Sequence, residues 1–162
     1  MYHQLVTTIQ NLLKNQNVWF ETFEHEEVRT SEEAAKLRHG YTISQGAKAL
    51  ILKAKLRDGQ NIFMQCVLPG DRKLANAKVK QLVDAKEIRF ATPDEIFALT
   101  KGVVPGGVPP FGNLFGIRIF VDPLLLAQEK IVFNAGDRKF SIAMKAIDYK
   151  NIVNPTVGEI SQ

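Results

Sequence analysis

The chain of 162 residues is 45% apolar and 23% charged, the size and mix of one globular domain whose core needs no covalent staples. Its one cysteine, Cys66, excludes an internal disulfide framework and a cysteine-rich metal site, and no apolar run is long enough to cross a bilayer. The net charge of +4 is compatible with a polyanionic partner such as RNA without requiring one.

Residues 1–15, MYHQLVTTIQNLLKN, are too polar for a signal peptide, so a cytoplasmic address is expected. Within them Leu5, Ile9, Leu12 and Leu13 share a helical face, which predicts a helix over 3–15. Strand formers fill 18–24. Thr30 and Glu33 form a capping-box pattern that opens a helix over 30–40, with Gly40 as its C-terminal glycine. Two apolar runs, 47–55 and 61–68, flank Asp58-Gly59, a strong hairpin signal. A helix over 74–85 and a strand over 87–91 follow, and then Thr92 caps a helix that starts at Pro93 with Asp94 and Glu95 in its first turn.

The segment KGVVPGGVPPFG, 101–112, holds three prolines and four glycines, so it suits neither a helix nor a central strand. Beyond it the pattern gives a strand over 117–121, a short helix near 124–128, strands KIVFN and KFSIAM, and a last helix over 146–152. Helices and strands mix without a β-α-β rhythm. The expected fold is α+β, one domain over 1–162, with a mixed, mostly antiparallel sheet or open barrel flanked by helices.

Several chemistries lack their motifs. There is no histidine or cysteine pair at metal-binding spacing and no Asp-rich loop, so no metal or cofactor is expected. Nor is there a phosphate-binding glycine motif or a G-x-S-x-G elbow. Cys66 lies mid-strand among apolar neighbours, where a thiol is usually inert, and a Cys–His nucleophile is the weaker reading.

Three elements keep functional readings beside structural ones. Strand alternation puts Lys48 on the face of Leu50 and Leu52, opposite Ile62, Met64, Cys66 and Leu68 of the partner strand. There it either reaches a cleft or an anion, or snorkels to solvent from the strand end. The 101–112 loop is either a rigid crossover or a pocket wall working through its main chain, with Val103, Val104, Val108 and Phe111 sizing the pocket. Asn134, Gly136, Asp137 and Arg138 read as a strand-to-strand turn in which Arg138 could meet a phosphate. PGDRK, 69–73, is a second turn that could bind phosphate or simply be solvated.

The runs TSEEAA, GAKALILK, GVVPGGVPPFG and FNAGDRKFSI, in this order between about Val18 and Ile152, resemble the YbaK/ProX family of aminoacyl-tRNA deacylases. The same domain is inserted in bacterial prolyl-tRNA synthetases. The resemblance places Lys48 at the family's invariant lysine and Gly102 to Gly107 on its glycine-rich active-site loop. It implies hydrolysis of the ester between a wrong amino acid, alanine or cysteine, and tRNA for proline. Water would be positioned by Lys48, Gly102, Gly106 and Gly107, without metal or cofactor. Thr30, Val108, Pro109, Phe111, Asn134, Gly136 and Arg138 would bind substrate. The implied partners are mischarged tRNA and an aminoacyl-tRNA synthetase. Two departures stand out: Asp137 and Arg138 occupy the place of a histidine found in some relatives, and the loop reads VPPFG where the cysteine-editing branch looks more like ISPLG. The missing histidine motivates an alternative, a non-catalytic tRNA- or synthetase-binding module of the same fold.

Overall fold

The computed structural model describes residues 1–28 and 30–162. Helix α1 (Gln4–Asn15) forms on the expected face, with Leu5, Val6, Ile9 and Leu13 buried. Burying each such side chain is worth about 1.5–3 kcal/mol. His3 caps it, Nδ1 accepting from the Leu5 amide at 3.1 Å.

The strands divide into two sheets. Strands β1 (Phe20–Glu24), β6 (Lys130–Asp137) and β7 (Phe140–Lys145) form an antiparallel sheet in the order β1-β7-β6. A second, mixed sheet takes β2 (Ala47–Leu56), β3 (Asn61–Pro69), β4 (Ala85–Phe90), β5 (Arg118–Val121) and β8 (Thr156–Val157) in the order β4-β2-β3-β5-β8. Pairs β3–β5 and β5–β8 are parallel; the others are antiparallel. A bridge between Gly46 and Val132 joins the sheets, which stay open rather than closing into a barrel. The α+β expectation holds, with its one sheet resolved into two.

The β2–β3 hairpin turns at Asp58-Gly59, where Gly59 adopts φ +91°. Its register pairs Lys48 with Leu68, Leu50 with Cys66 and Leu52 with Met64, so Lys48 does share a face with these apolar residues. Helix α3 (Asn76–Val83) covers that face, where Leu52, Met64, Cys66 and Val79 are fully buried. Ile51 and Gln65, on the opposite face, are buried too, so the centre of this sheet is covered on both sides. Helix α4 (Pro93–Thr100) starts in the Thr92–Glu95 capping box. Helix α5 (Pro123–Leu126) is capped by Asp122, whose other carboxylate oxygen accepts from the Ile160 and Ser161 amides, each at 3.0 Å. Helix α6 (Ala146–Val153) places Tyr149 in the main core against Phe111.

Two local expectations change. Helix α2 (Ser31–Leu37) stops before Gly40, its last cap being Arg38, because the Arg38 side chain turns inward. Asn134 and Gly136 lie within β6, not in a turn: the strand bulges between Asn134 and Asp137, and the chain reverses at Arg138 and Lys139.

Candidate active site

Four separate segments enclose a cavity of about 450 Å³. They are the start and inner face of α2, the first residues of β2, the tip of the glycine-rich loop and Asn134 of β6, with Val28, Thr42, Ile43 and Gly70 completing the wall. The β2 wall follows from how the sheets meet. Ile51 accepts from Ala91 at 2.9 Å on the β4 side, so odd-numbered residues of β2 turn their main-chain groups to that edge. Pairing with β4 begins only at Leu52, and the bridge to Val132 lies back at Gly46. Between them Ala49 presents an amide and a carbonyl with no described partner to the cavity. An open strand edge explains why every residue from Gly46 to Leu50 lines it.

Lys48 lies half-buried on this wall, and Nζ donates to the Arg72 carbonyl at 2.7 Å. Desolvation lowers its pKa, and Lys73 adds to the effect, while Glu32 and Asp71 offset part of it. The 69–73 turn thus forms the rim: Gly70 lines the cavity, and Asp71 accepts from Ser44 Oγ at 2.8 Å.

The glycine-rich loop is held from behind. Val103, Val108 and Phe111 are buried and serve as anchors, whereas Val104 is exposed. The fully buried Gln65 donates from Nε2 to the Pro109 carbonyl and accepts from the Gly112 amide, both at 2.9 Å. Tyr149 donates its hydroxyl to the Pro110 carbonyl at 2.6 Å. At the tip, Val104-Pro105-Gly106-Gly107 makes a tight turn closed by Gly107 N–H to Val104 O at 3.0 Å, with Gly106 at φ +91°. Proline second and a positive-φ glycine third is the type II turn pattern. Arg138 donates from Nε to the Pro105 carbonyl at 2.7 Å and from Nη1 to Glu27 at 2.8 Å. Asn134 Nδ2 donates to the Gly106 carbonyl at 2.6 Å. With the Pro105 and Gly106 carbonyls taken, the Gly106 amide is a donor at the tip with no described acceptor.

Beneath the tip lies a polar cluster the sequence did not disclose. Arg38 is 6% exposed, and Nε donates to Ser141 Oγ at 3.0 Å while Nη2 donates to Asn134 Oδ1 at 2.9 Å. Ser141 Oγ also lies 2.7 Å from His25 Nε2 and 3.1 Å from Asn134 Oδ1. His25 Nδ1 faces the Glu26 carbonyl at 2.8 Å, which makes that nitrogen the donor. No carboxylate among the described residues pairs with Arg38, and burial lowers its pKa to about 10, which leaves it charged at neutral pH. Among the described residues no fully buried side-chain nitrogen or oxygen lacks a partner, so Arg38 Nη1, which has no described acceptor, keeps some accessible surface, and Arg38 is one of the residues that line the cavity.

Of the residues singled out in the sequence, Lys48, Gly106, Thr30, Val108 and Asn134 line this cavity. The others do not. Gly102 ends α4, its amide donating to Phe97 O at 2.9 Å beside His3. Gly107 closes the tip turn, and Pro109 and Phe111 anchor the loop in the core. Gly136 lets α1 approach, since a Cβ there would lie 2.7 Å from Leu5 Cβ. Arg138 clamps the loop instead of facing the cavity, because the bulge in β6 turns it towards Pro105 and Glu27. Cys66 is buried, and desolvation pushes its thiol up to about 12, far from a reactive thiolate.

The chain as a whole has relatives among known proteins. Residues 25–152 match the model of the aminoacyl-tRNA editing domain. The chain is 32% identical over 145 residues to the multifunctional Ser/Thr-tRNA deacylase ProXp-y of Escherichia coli K12, covering 89% of this chain and 85% of that protein. It is 28% identical over 121 residues to the proline–tRNA ligase of Fervidobacterium nodosum, covering 75% of this chain but 20% of the ligase. A solved structure of a candidate trans-editing enzyme for prolyl-tRNA synthetase superposes with a TM-score of 0.82 at 22% identity, covering 100% of this chain and 99% of that one, which shows a common fold. With residues 25–152 matched by the family model and a 32% identical relative covered over 85% of its length, the chain belongs to the aminoacyl-tRNA editing domain family.

Proposed function

We propose that this protein is a free-standing deacylase that hydrolyses the ester between a mis-selected small amino acid and the 3′ end of a tRNA. The observation that carries this reading is the convergence of Lys48, Asn134, Thr30 and the Gly106 tip on one cavity large enough for an aminoacyl terminus. An aminoacyl ester is already activated, so the reaction needs a positioned water and not a protein nucleophile. The ribose 2′-OH next to the ester serves as the base. Lys48 contacts the terminal phosphate or the ester region, and the Gly106 and Ala49 main-chain groups orient the acyl carbonyl. One well-aimed donor to a developing oxyanion supplies roughly 2.7–4 kcal/mol, and positioning can supply more.

For the amino acid, the name of the Escherichia coli relative favours serine and threonine. The wall agrees, since Thr30, Ser31 and Asn134 offer polar partners to a side-chain hydroxyl while Val108 limits its size. Alanine and cysteine on tRNA for proline, expected from the motif wording, are the competing substrates. Pocket walls separate such small side chains by only about 1–3 kcal/mol per methylene. The substrate also implies the cytoplasm as the site of action.

The test is release of labelled amino acid from tRNAs charged with serine, threonine, alanine, cysteine and proline. Turnover of one or more of the first four, with prolyl-tRNA spared, is expected. Binding without ester loss on all five would refute catalysis and favour the non-catalytic module.

A further inference from the structure

Arg38 is the most unusual charge in the molecule. It is buried, it faces the cavity, and both of its protein partners, Ser141 and Asn134, are neutral. A purely structural task of that kind would be met at lower cost by a neutral amide, because a buried cation without a counter-charge is strongly disfavoured. The charge makes sense if a negative charge appears beside it during the reaction.

We infer that Arg38 is a catalytic residue of the deacylation proposed above, its Nη1 edge receiving the negative charge that develops on the ester carbonyl oxygen. The two cations described in the cavity then divide the work by depth. Lys48 lies at the rim, near Glu32 and Asp71, where a solvated phosphate can approach. Arg38 meets the cavity only through the small part of its surface that is not covered, which admits a single oxygen more readily than a hydrated phosphate. Asn134 also links it to the Gly106 tip, accepting from Arg38 Nη2 and donating to the Gly106 carbonyl, and both Arg38 and Gly106 line the cavity.

The chemistry balances without further reagents. The water oxygen bonds to the carbonyl carbon, and the carbonyl π pair moves onto the oxygen facing Arg38. The water proton passes through the ribose 2′-OH towards O3′. The oxyanion pair then re-forms the carbonyl, the C–O3′ bond breaks, and O3′ leaves as a hydroxyl. The products are the free amino acid and tRNA with an intact 3′ end. Arg38 stays protonated throughout, and its contribution is felt mainly in the transition state.

The inference rests on the editing reading, and the experiment separates the two. Deacylation of seryl-, threonyl-, alanyl- and cysteinyl-tRNA is measured for the parental protein and for Arg38→Met, Arg38→Lys and Arg38→Ala, with melting curves for each. In Arg38→Met kcat should fall about 10²–10³-fold with KM within about threefold. Arg38→Lys, which keeps the charge and guards against a folding failure, should retain more kcat than Arg38→Met. Added methylguanidinium should restore kcat to Arg38→Ala and leave the parental rate unchanged, a response that loss of structure alone does not give. A folded Arg38→Met at the parental kcat, or a loss carried entirely by KM, overturns the inference while the editing reading stands. No turnover by the parental protein on any of the four tRNAs overturns both.

Discussion

Asn134 couples the charge under the cavity to the loop above it, so its removal should be costly in two distinguishable ways. Asn134→Ala deletes the acceptor of Arg38 Nη2 at 2.9 Å and the donor to the Gly106 carbonyl at 2.6 Å. A hydrogen bond to a charged group contributes about 1.5–3 kcal/mol and a neutral one about 0.5–1.5, which together give roughly 2–4 kcal/mol of lost stability. In a domain of this size that is a drop in Tm of roughly 5–15 °C. Asn134→Asp keeps an acceptor for Arg38 and adds a counter-charge, but it turns an oxygen towards the Gly106 carbonyl. Thermal unfolding followed by circular dichroism should therefore rank the parental protein above Asn134→Asp and Asn134→Ala lowest. The two variants should differ by about 1–2 kcal/mol. Deacylation should fall at least about tenfold in both, because each releases the loop tip and the aspartate also neutralises Arg38. Equal melting of the two variants, or an Asn134→Ala protein as stable as the parent, would refute the coupling.

Other perturbations follow from the same geometry. Gly106→Ala forces a side chain onto φ +91° with its Cβ 3.1 Å from Arg138 Nε, so it should lose about 1–2 kcal/mol in a thermal melt and slow deacylation; parental values for both would contradict the turn assignment. Glu95 is held at about 2, well below its ordinary 4.5, first by its hydrogen bond from Arg89 and then by the Thr92 amide. Its contribution to stability is therefore complete above pH 4.5 and lost as pH falls through about 2. Urea unfolding should show the parental protein more stable than Glu95→Gln at pH 6, with the gap closing towards pH 2; an unchanged gap would be the contrary result. Cys66→Ala should deacylate at the parental rate, and iodoacetamide at pH 8 should leave the native thiol unmodified; loss of turnover in the variant would reinstate a thiol mechanism.

The sequence disclosed features whose causes are local. Asp58-Gly59 marks its hairpin because glycine alone takes φ +91° without strain, and Thr92-Pro93 with Glu95 marks a helix start through its own hydrogen bonds. Alternation likewise put Lys48 on the correct face of β2. What escaped depends on partners far along the chain. The division into two sheets hangs on Gly46 meeting Val132 and on β5 joining β3 in parallel. Arg38 looks like a surface cation closing a short helix until Asn134 and Ser141, 96 and 103 residues away, fold over it. A signal was present, since the three residues before Gly40 are Leu37, Arg38 and His39, and an inward arginine there shortens the helix; without its acceptors nothing in the pattern favoured it. The 101–112 loop allows two readings, rigid crossover and pocket wall. Each holds in part: Val103, Val108 and Phe111 anchor it to the core, and its tip alone, Gly106 with Val108 behind, lines the cavity.

Lys48 and the Gly106 tip stand on the same cavity, and the proposed activity needs both. Deacylation of seryl- and threonyl-tRNA by Lys48→Ala, compared with the parental protein at matched concentration and with melting curves beside it, probes that requirement. A folded Lys48→Ala protein whose ester release falls to the uncatalysed rate is the expected result. A folded variant that releases either amino acid at the parental rate would place the chemistry elsewhere.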